Sequence, residues 1–159
     1  SPKTPESIEK LSKILDHVLY RCNTKYVPLS SEIELIKNYI ELEKLRYDDR
    51  LQIDFNANME EEGVIAPLIL LSLVENAFKH GAGEDSGSPK IDIDLYNARD
   101  AFKFVISNTV ASETYTAERT PIGLKNIKKQ LNLIYPDRFE LQIDNCPKVF
   151  KVTVIIKNQ

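Results

Sequence analysis

Alternation of apolar and polar residues at every second position is the feature that most limits how this 159-residue chain can fold. It runs through residues 51–58, where Leu51, Ile53 and Phe55 predict the inward face of a strand. Two pairs of alternating segments follow further along, each pair joined by a short turn. They are IDIDLY with AFKFVIS, joined by NARD, and FELQID with KVFKVTVII, joined by NCP. The chain therefore predicts a sheet built largely from hairpins.

Helical spacing accounts for most of the remaining chain. Apolar residues recur every three or four positions over 5–22 and 29–50, which predicts two helices before the first strand. Two more helices are predicted, over 65–80 with Gly81 as the stop, and over 122–135. Helices that alternate with hairpin-linked strands predict a mixed sheet covered by helices on one face, preceded by the N-terminal helices.

Composition excludes several classes of function. The chain is 42% hydrophobic and 28% charged with a net charge of −3, so no basic field favours nucleic acid or an anionic membrane. No signal peptide opens the chain, and no apolar run reaches the roughly 18–20 residues that span a bilayer. Cys22 and Cys146 lie far apart without metal-ligand spacing, so we expect two reduced thiols.

The third predicted helix carries an unusual polar stretch, LVENAFKHG, inside an apolar run. In a continuous helix Ser72, Glu75 and Lys79 share one face. Asn76 shares a face with Ser72, Lys79 and His80, and apolar residues cover the rest. The pattern predicts a helix with one core side and one side that presents a carboxylate, an amide and a cation.

These groups suit phosphate chemistry. An amide beside a carboxylate suits a Mg²⁺ ion that keeps most of its waters and shares substrate phosphates. A lysine one turn later can meet a phosphate, and the carboxylate can orient or deprotonate a nucleophile. The alternative is a surface helix whose Glu75–Lys79 pair stabilises it by only a few tenths of a kcal/mol.

A second motif, IGLKNIKKQL, places Gly123 at the start of a helix that follows a loop. A helix N-terminus offers free N–H groups and a positive dipole end to an anion. Three lysines follow, at 125, 128 and 129. Alone, the motif also fits an ordinary helix start with a solvated lysine face. With the polar helix, it predicts two elements that address one polyphosphate.

Three stretches resemble sensor histidine kinases of the LytS type, also called the YehU type. PLILLSLVENAFKHG resembles their N box, and IGLKNIKKQLNLIYPDRFEL is similar to their second glycine box and following helix. VPLSSEIELIKNYIELEKLRYDDRL resembles the segment that joins their two domains. The resemblance implies the second helix of a dimerisation and phosphoacceptor hairpin over 1–27 and a connecting helix over 28–50. It implies an ATP-binding domain of the Bergerat (GHKL) fold, a two-layer α/β sandwich, over 51–159.

The resemblance also implies roles for the polar residues. Asn76 would bind Mg²⁺, and Glu75 would be the general base or orienter for the attacking histidine. Lys79 would meet a phosphate, and His80 would line the edge of the nucleotide. Ser72 would belong to the same nucleotide-binding surface.

Other parts of the nucleotide site are implied in the same way. The loop 109–121 would be a mobile lid, and Gly123 would let the backbone approach the phosphates, with Leu124 beside it. An adenine-binding aspartate is expected in related kinases, but VISNTV offers Ser107 or Asn108. The usual Gly-x-Gly is Pro-Ile-Gly here, so one glycine is lost.

The implied function is transfer of the ATP γ-phosphoryl group to a histidine on an upstream helix that is missing from this chain. No stretch resembles the family's NPHFLFN, and His17 is not assigned as the acceptor. The implied partners are ATP with Mg²⁺, a response regulator of the LytTR type, and a second copy in the full-length protein. No nucleic acid or membrane contact is expected from this part, the cytoplasmic portion of a bacterial kinase anchored in the inner membrane.

Two alternatives remain open. A degenerate, non-catalytic GHKL-fold domain would keep the fold and bind partners through its N-terminal helices. The missing aspartate and glycine favour this reading, whereas the Glu75-Asn76 pair disfavours it. A gyrase-like ATPase would instead use Glu75 to activate water.

Overall fold

The computed structural model describes most of the chain, namely residues 3–21, 23–82, 87–110 and 122–159. These residues form parts of two compact units. The first unit comprises Ser1–Arg50 and Glu62–Leu71. The second comprises Leu51–Glu61 and Ser72–Gln159.

Two long helices make up most of the first unit. They are α1, Lys3–Arg21, and α2, Leu29–Tyr47. A short strand β1, Val27–Pro28, precedes α2 and pairs antiparallel with β3, Val64–Ile65. The buried side of α2 includes three of the residues that predicted it, Ile33, Ile36 and Ile40. Both predicted helices are present, whereas two-residue strands are too short for alternation to reveal.

A five-stranded sheet forms the centre of the second unit. Its strands are β2, Gln52–Met59; β4, Lys90–Asn97; β5, Ala101–Thr109; β6, Phe139–Asn145; and β7, Val149–Lys157. Their order is β2-β4-β5-β7-β6, with β2 parallel to β4 and the other pairs antiparallel. The mixed, hairpin-rich sheet that the sequence predicted is confirmed.

Register across the sheet brings the apolar residues into rows on one face. One such row contains Ala57, Leu95, Phe104, Val154 and Leu141. The opposite face is mainly polar and includes Asp54, Asp92, Lys103, Gln142 and Lys151. An apolar face of this size must be covered, because leaving it in water costs about 25 cal/mol for each Å².

Helix α4, Ile122–Ile134, occupies the range predicted for the last helix. It buries Leu124, Ile127 and Leu131, which recur at helical spacing, and it exposes its lysines. The element therefore covers the core with one side and presents basic groups to solvent with the other.

Helix α3, Ile69–Ala77, begins four residues later than the predicted range 65–80. Residues 64–65 pair as β3, and Leu68 has a left-handed backbone with φ of 70°, so an α-helix cannot run through it. At its C-terminal end the helix widens into a π turn, Phe78–Ala82. The continuous apolar run thus serves a strand, a turn and a helix in succession.

The sequence predicted that Gly81 ends this helix as a left-handed cap, and this is wrong. Gly81 lies inside the π turn, and its φ is not positive. Its function is close packing. A Cβ added at Gly81 would lie 2.5 Å from Cγ and 2.7 Å from Cβ of Asn108 on β5, and it would collide with Nδ2. The backbone of the turn therefore approaches β5 more closely than a larger residue permits.

The variant Gly81→Ala is expected to lower the free energy of unfolding by about 1–3 kcal/mol, because the new methyl group overpacks against Asn108. Gly123→Ala is the matched control, since its Cβ would meet Asn76 Oδ1 at an ordinary 3.6 Å. That variant should preserve or raise stability, because alanine favours a helix. Urea unfolding measures both changes. Equal stability of Gly81→Ala and the parent would contradict the close packing.

Candidate active site

Glu75 and Asn76 are neighbours in α3, but their side chains lie in different surroundings. Successive residues of an α-helix are separated by about 100° around its axis. Glu75 is exposed, whereas Asn76 is only 8% exposed. The structure thus corrects the prediction that the carboxylate and the amide lie together on one open side of the helix: the amide lies on the buried side.

The side-chain oxygen of Asn76 is buried without a hydrogen-bond partner among the described residues. A buried polar atom left without a partner costs about 1–3 kcal/mol, so native proteins retain few of them. An amide oxygen is also a ligand that Mg²⁺ accepts. This buried amide oxygen therefore fits a site that would hold a metal ion.

Gly123, in the first turn of α4, lies beside this oxygen. A Cβ at Gly123 would be 3.6 Å from Asn76 Oδ1, so the two predicted motifs meet in the structure. The first N–H groups of α4 have no carbonyl partner within the helix. Leu124, the next residue, is 1% exposed, and its side chain belongs to the core. An anion beside the start of α4 would meet these N–H groups, and Asn76 Oδ1 next to it is a group that could hold a metal ion.

The π turn changes the spacing of the remaining polar residues. Lys79 is exposed and His80 is partly buried within this turn, whereas Ser72 is partly buried one helical turn before Asn76. The α-helical spacing used in the sequence analysis therefore does not apply to Lys79 and His80. Sequence reasoning also missed Gly81 as a neighbour of a candidate site residue. A glycine after an apolar helix is typical both of the end of the helix and of a site where the backbone packs closely against another element.

Ser107 and Asn108 are the two candidates for the position of the adenine-binding aspartate, and they lie on opposite faces of the sheet. Asn108 pairs with Ile91 on the apolar face of the sheet and is 4% exposed. Ser107 pairs with Asp92 on the opposite face. The Asn108 Nδ2 group donates a hydrogen bond to the carbonyl oxygen of Thr109 at 3.1 Å. Asn108, therefore, is the residue that lies on the same side of the sheet as the buried core.

The predicted lid, 109–121, begins within the described chain and continues beyond it. Thr109 ends β5, and its hydroxyl oxygen accepts a hydrogen bond from the backbone N–H of Lys90 at 3.0 Å. Residues 111–121 lie outside the described residues, as do residues 83–86. The prediction of lid mobility remains a prediction.

Three further features of the described ranges concern metal-binding clusters, thiols and membrane spans. No cluster of three or more histidine, cysteine, aspartate or glutamate side chains suited to a metal occurs there. Cys146 is an exposed free thiol, and Cys22 lies outside the described residues. None of the described helices combines the length and the apolar character needed to cross a bilayer.

The chain is similar to known sensor proteins and histidine kinases. A family model described as histidine kinase matches residues 1–51. The sensor protein LytS of Streptococcus mutans is 25% identical over 155 residues, which cover 90% of this chain and 27% of LytS. The sensor protein kinase HptS of Staphylococcus aureus is 34% identical over 101 residues, which cover 62% of this chain and 19% of HptS. The chain thus spans about a quarter or less of these two relatives.

Solved structures show the same fold. The nucleotide-free catalytic domain of the histidine kinase ThkA matches with a TM-score of 0.57 at 12% identity, covering 84% of this chain and 97% of that domain. ThkA in complex with the response regulator protein TrrA matches with a TM-score of 0.56 at 15% identity, covering 98% of this chain and 49% of that one. This chain is therefore similar in sequence to the sensor proteins LytS and HptS, and in fold to the catalytic domain of the histidine kinase ThkA.

Proposed function

We propose that this chain is the ATP-binding catalytic region of a sensor histidine kinase, which transfers the γ-phosphoryl group of ATP to a histidine elsewhere in a longer protein. The observation that carries the proposal is the buried, unpartnered Oδ1 of Asn76 beside the N-terminus of α4. A helix that only packed against a core would place an apolar side chain there. The similarity to LytS and HptS supports the same function.

Each candidate residue has a role that its surroundings permit. Asn76 would hold Mg²⁺, which would neutralise charge on the ATP phosphates. Glu75 is exposed, so it can reach an incoming histidine and orient it or accept its proton. Lys79 and the N–H groups around Gly123 would meet phosphate oxygens.

The nucleoside end of ATP is assigned to a second group of residues. Asn108 would accept a hydrogen bond from the adenine amino group, more weakly than a charged aspartate would. Ser72 and His80 are partly buried near either end of the Glu75–Lys79 stretch and would line the nucleotide. Leu124 would contribute apolar packing beneath it.

The partners follow from the kinase function. ThkA, whose fold this chain shares, has been solved with a response regulator protein, and we propose that a response regulator also receives the phosphoryl group here. We further propose a LytTR-type regulator, a homodimer in the full-length protein, and a cytoplasmic position for this region in a membrane-anchored kinase.

A degenerate, non-catalytic domain is the second candidate. It is favoured by the neutral Asn108 where related kinases use an aspartate, since the loss of charge weakens an adenine contact. A calorimetric titration discriminates the two functions, because only the kinase needs Mg²⁺-dependent binding of ATP.

Asn76→Ala should lower the affinity for Mg²⁺·ATP at least tenfold, roughly 1.4 kcal/mol, because it removes the metal ligand. Its cost in stability should be small, since the lost oxygen has no hydrogen bond within the described chain. Calorimetry measures the affinity, and thermal unfolding measures the stability. Undiminished Mg²⁺·ATP affinity would remove Asn76 from the metal site.

Asn97→Ala provides a matched control for this experiment. Asn97 is 3% exposed, its Nδ2 donates to the Glu61 carbonyl at 2.8 Å, and its Oδ1 accepts from Asn158 Nδ2 at 3.2 Å. This variant should lose about 1–3 kcal/mol of stability, because it removes both hydrogen bonds of a buried side chain. Its folded fraction should bind Mg²⁺·ATP as the parent does.

Glu75→Gln should bind Mg²⁺·ATP normally but should slow phosphoryl transfer about 10²–10⁴-fold, the usual contribution of a general base. The measurement needs a longer chain that includes the upstream histidine, with incorporation of labelled phosphate as the readout. An unchanged rate of incorporation would show that Glu75 takes no part in the transfer.

A further inference from the structure

Glu32 is a carboxylate in an unexpected place. It lies in the first turn of α2 and is 0% exposed, although its neighbour Glu34 is open to solvent. A carboxylate is buried only when other groups satisfy its oxygens, because dehydration of an unpaired charge is very costly. Both oxygens of Glu32 have such partners, and the partners belong to two different segments.

The first partner is His17 of α1. Its Nε2 lies 3.1 Å from Glu32 Oε1, and the imidazole is 7% exposed. An ionised carboxylate can only accept hydrogen bonds, so the ring nitrogen donates. The contact therefore fixes α1 against α2 at one buried point. It also engages Nε2 of His17, the histidine of α1.

The second partner is the backbone of Leu68. Its N–H donates to Glu32 Oε2 at 3.3 Å. Leu68 has a φ of 70°, a left-handed conformation that a non-glycine residue adopts only when its surroundings hold it there. It also directly precedes α3, the helix that begins at Ile69. The carboxylate thus helps to hold the strained residue from which α3 starts.

We propose that Glu32 is a positioning residue that links α1 to the start of α3. When His17 moves with α1, the carboxylate loses one of its two hydrogen-bond donors and holds Leu68 less firmly, which loosens the first turn of α3. The regulatory meaning of this link rests on the proposed function, because α3 carries Glu75 and Asn76. A displacement of α1 would then change the order of the helix that bears the catalytic groups.

Amide hydrogen exchange of the 159-residue chain without nucleotide tests the link. His17→Leu, which lacks a donor, should accelerate exchange of the amides at 68–71 about tenfold, the effect of losing one hydrogen bond to a charged group. His17→Gln should restore most of the protection, because its amide N–H can donate to the same oxygen. Amides of β5 and β7 should be unchanged, which separates a local effect from general destabilisation.

A double-mutant cycle shows whether Glu32 carries the effect. In a Glu32→Ala background, His17→Leu should produce no further acceleration at residues 68–71. If that background does not fold, Glu32→Gln should reduce the effect of His17→Leu, because it keeps an acceptor but lacks the charge. Glu34→Gln, an exposed change on the same helix, is the control and should leave these amides unaffected.

Two results would overturn the link: unchanged exchange at 68–71 in His17→Leu, or the same acceleration with and without Glu32. Titration of the parent with Mg²⁺·ATP tests the proposed function separately. A parent that binds no nucleotide but shows the coupled exchange would retain the link and lose the kinase function. A parent that binds Mg²⁺·ATP without coupled exchange would retain the kinase function and lose the link.

Discussion

Five strands place their apolar side chains on one face of a mixed sheet, and the register aligns them in rows from β2 to β6. Burial of that face is what the second unit depends on, because it requires covering elements with apolar sides of their own. Helix α4 meets this requirement with residues at helical spacing. The close approach of Gly81 to Asn108 shows how tightly the π turn packs against the sheet.

The same requirement explains why a polar residue on a buried side is informative. Asn76 takes a position that an apolar side chain would fill without penalty, and its oxygen has no partner among the described residues. Its neighbour Glu75 is exposed and carries no such cost. On the proposed function, one helix would serve two tasks: its buried amide oxygen would hold a metal ion, and its exposed carboxylate would meet an incoming histidine. The first turn of α4 lies beside the amide oxygen at Gly123.

Alternation of apolar and polar residues located the five long strands. Successive side chains of a strand point to opposite faces of the sheet, so a face that is buried requires an apolar residue at every second position. The start of α3 could not be read in this way, since most of residues 64–71 are apolar and the strand is separated from the helix by a short turn, residues 66–68, that ends at the left-handed Leu68. The burial of Asn76 depends on which side of α3 packs against the rest of the protein, and the helical spacing of its residues does not determine this. Burial of Glu32 was equally hidden, because its partners are distant in sequence: His17 and Leu68.

On the proposed function, the buried oxygen of Asn76 would bind a metal ion that is carried by a nucleotide. Calorimetric titration of the 159-residue chain with ATP, performed once with Mg²⁺ and once with a chelator, tests it most directly. We expect a saturable heat of binding with Mg²⁺ and a markedly weaker affinity without it. Equal affinity under both conditions, or no binding under either, would contradict the account.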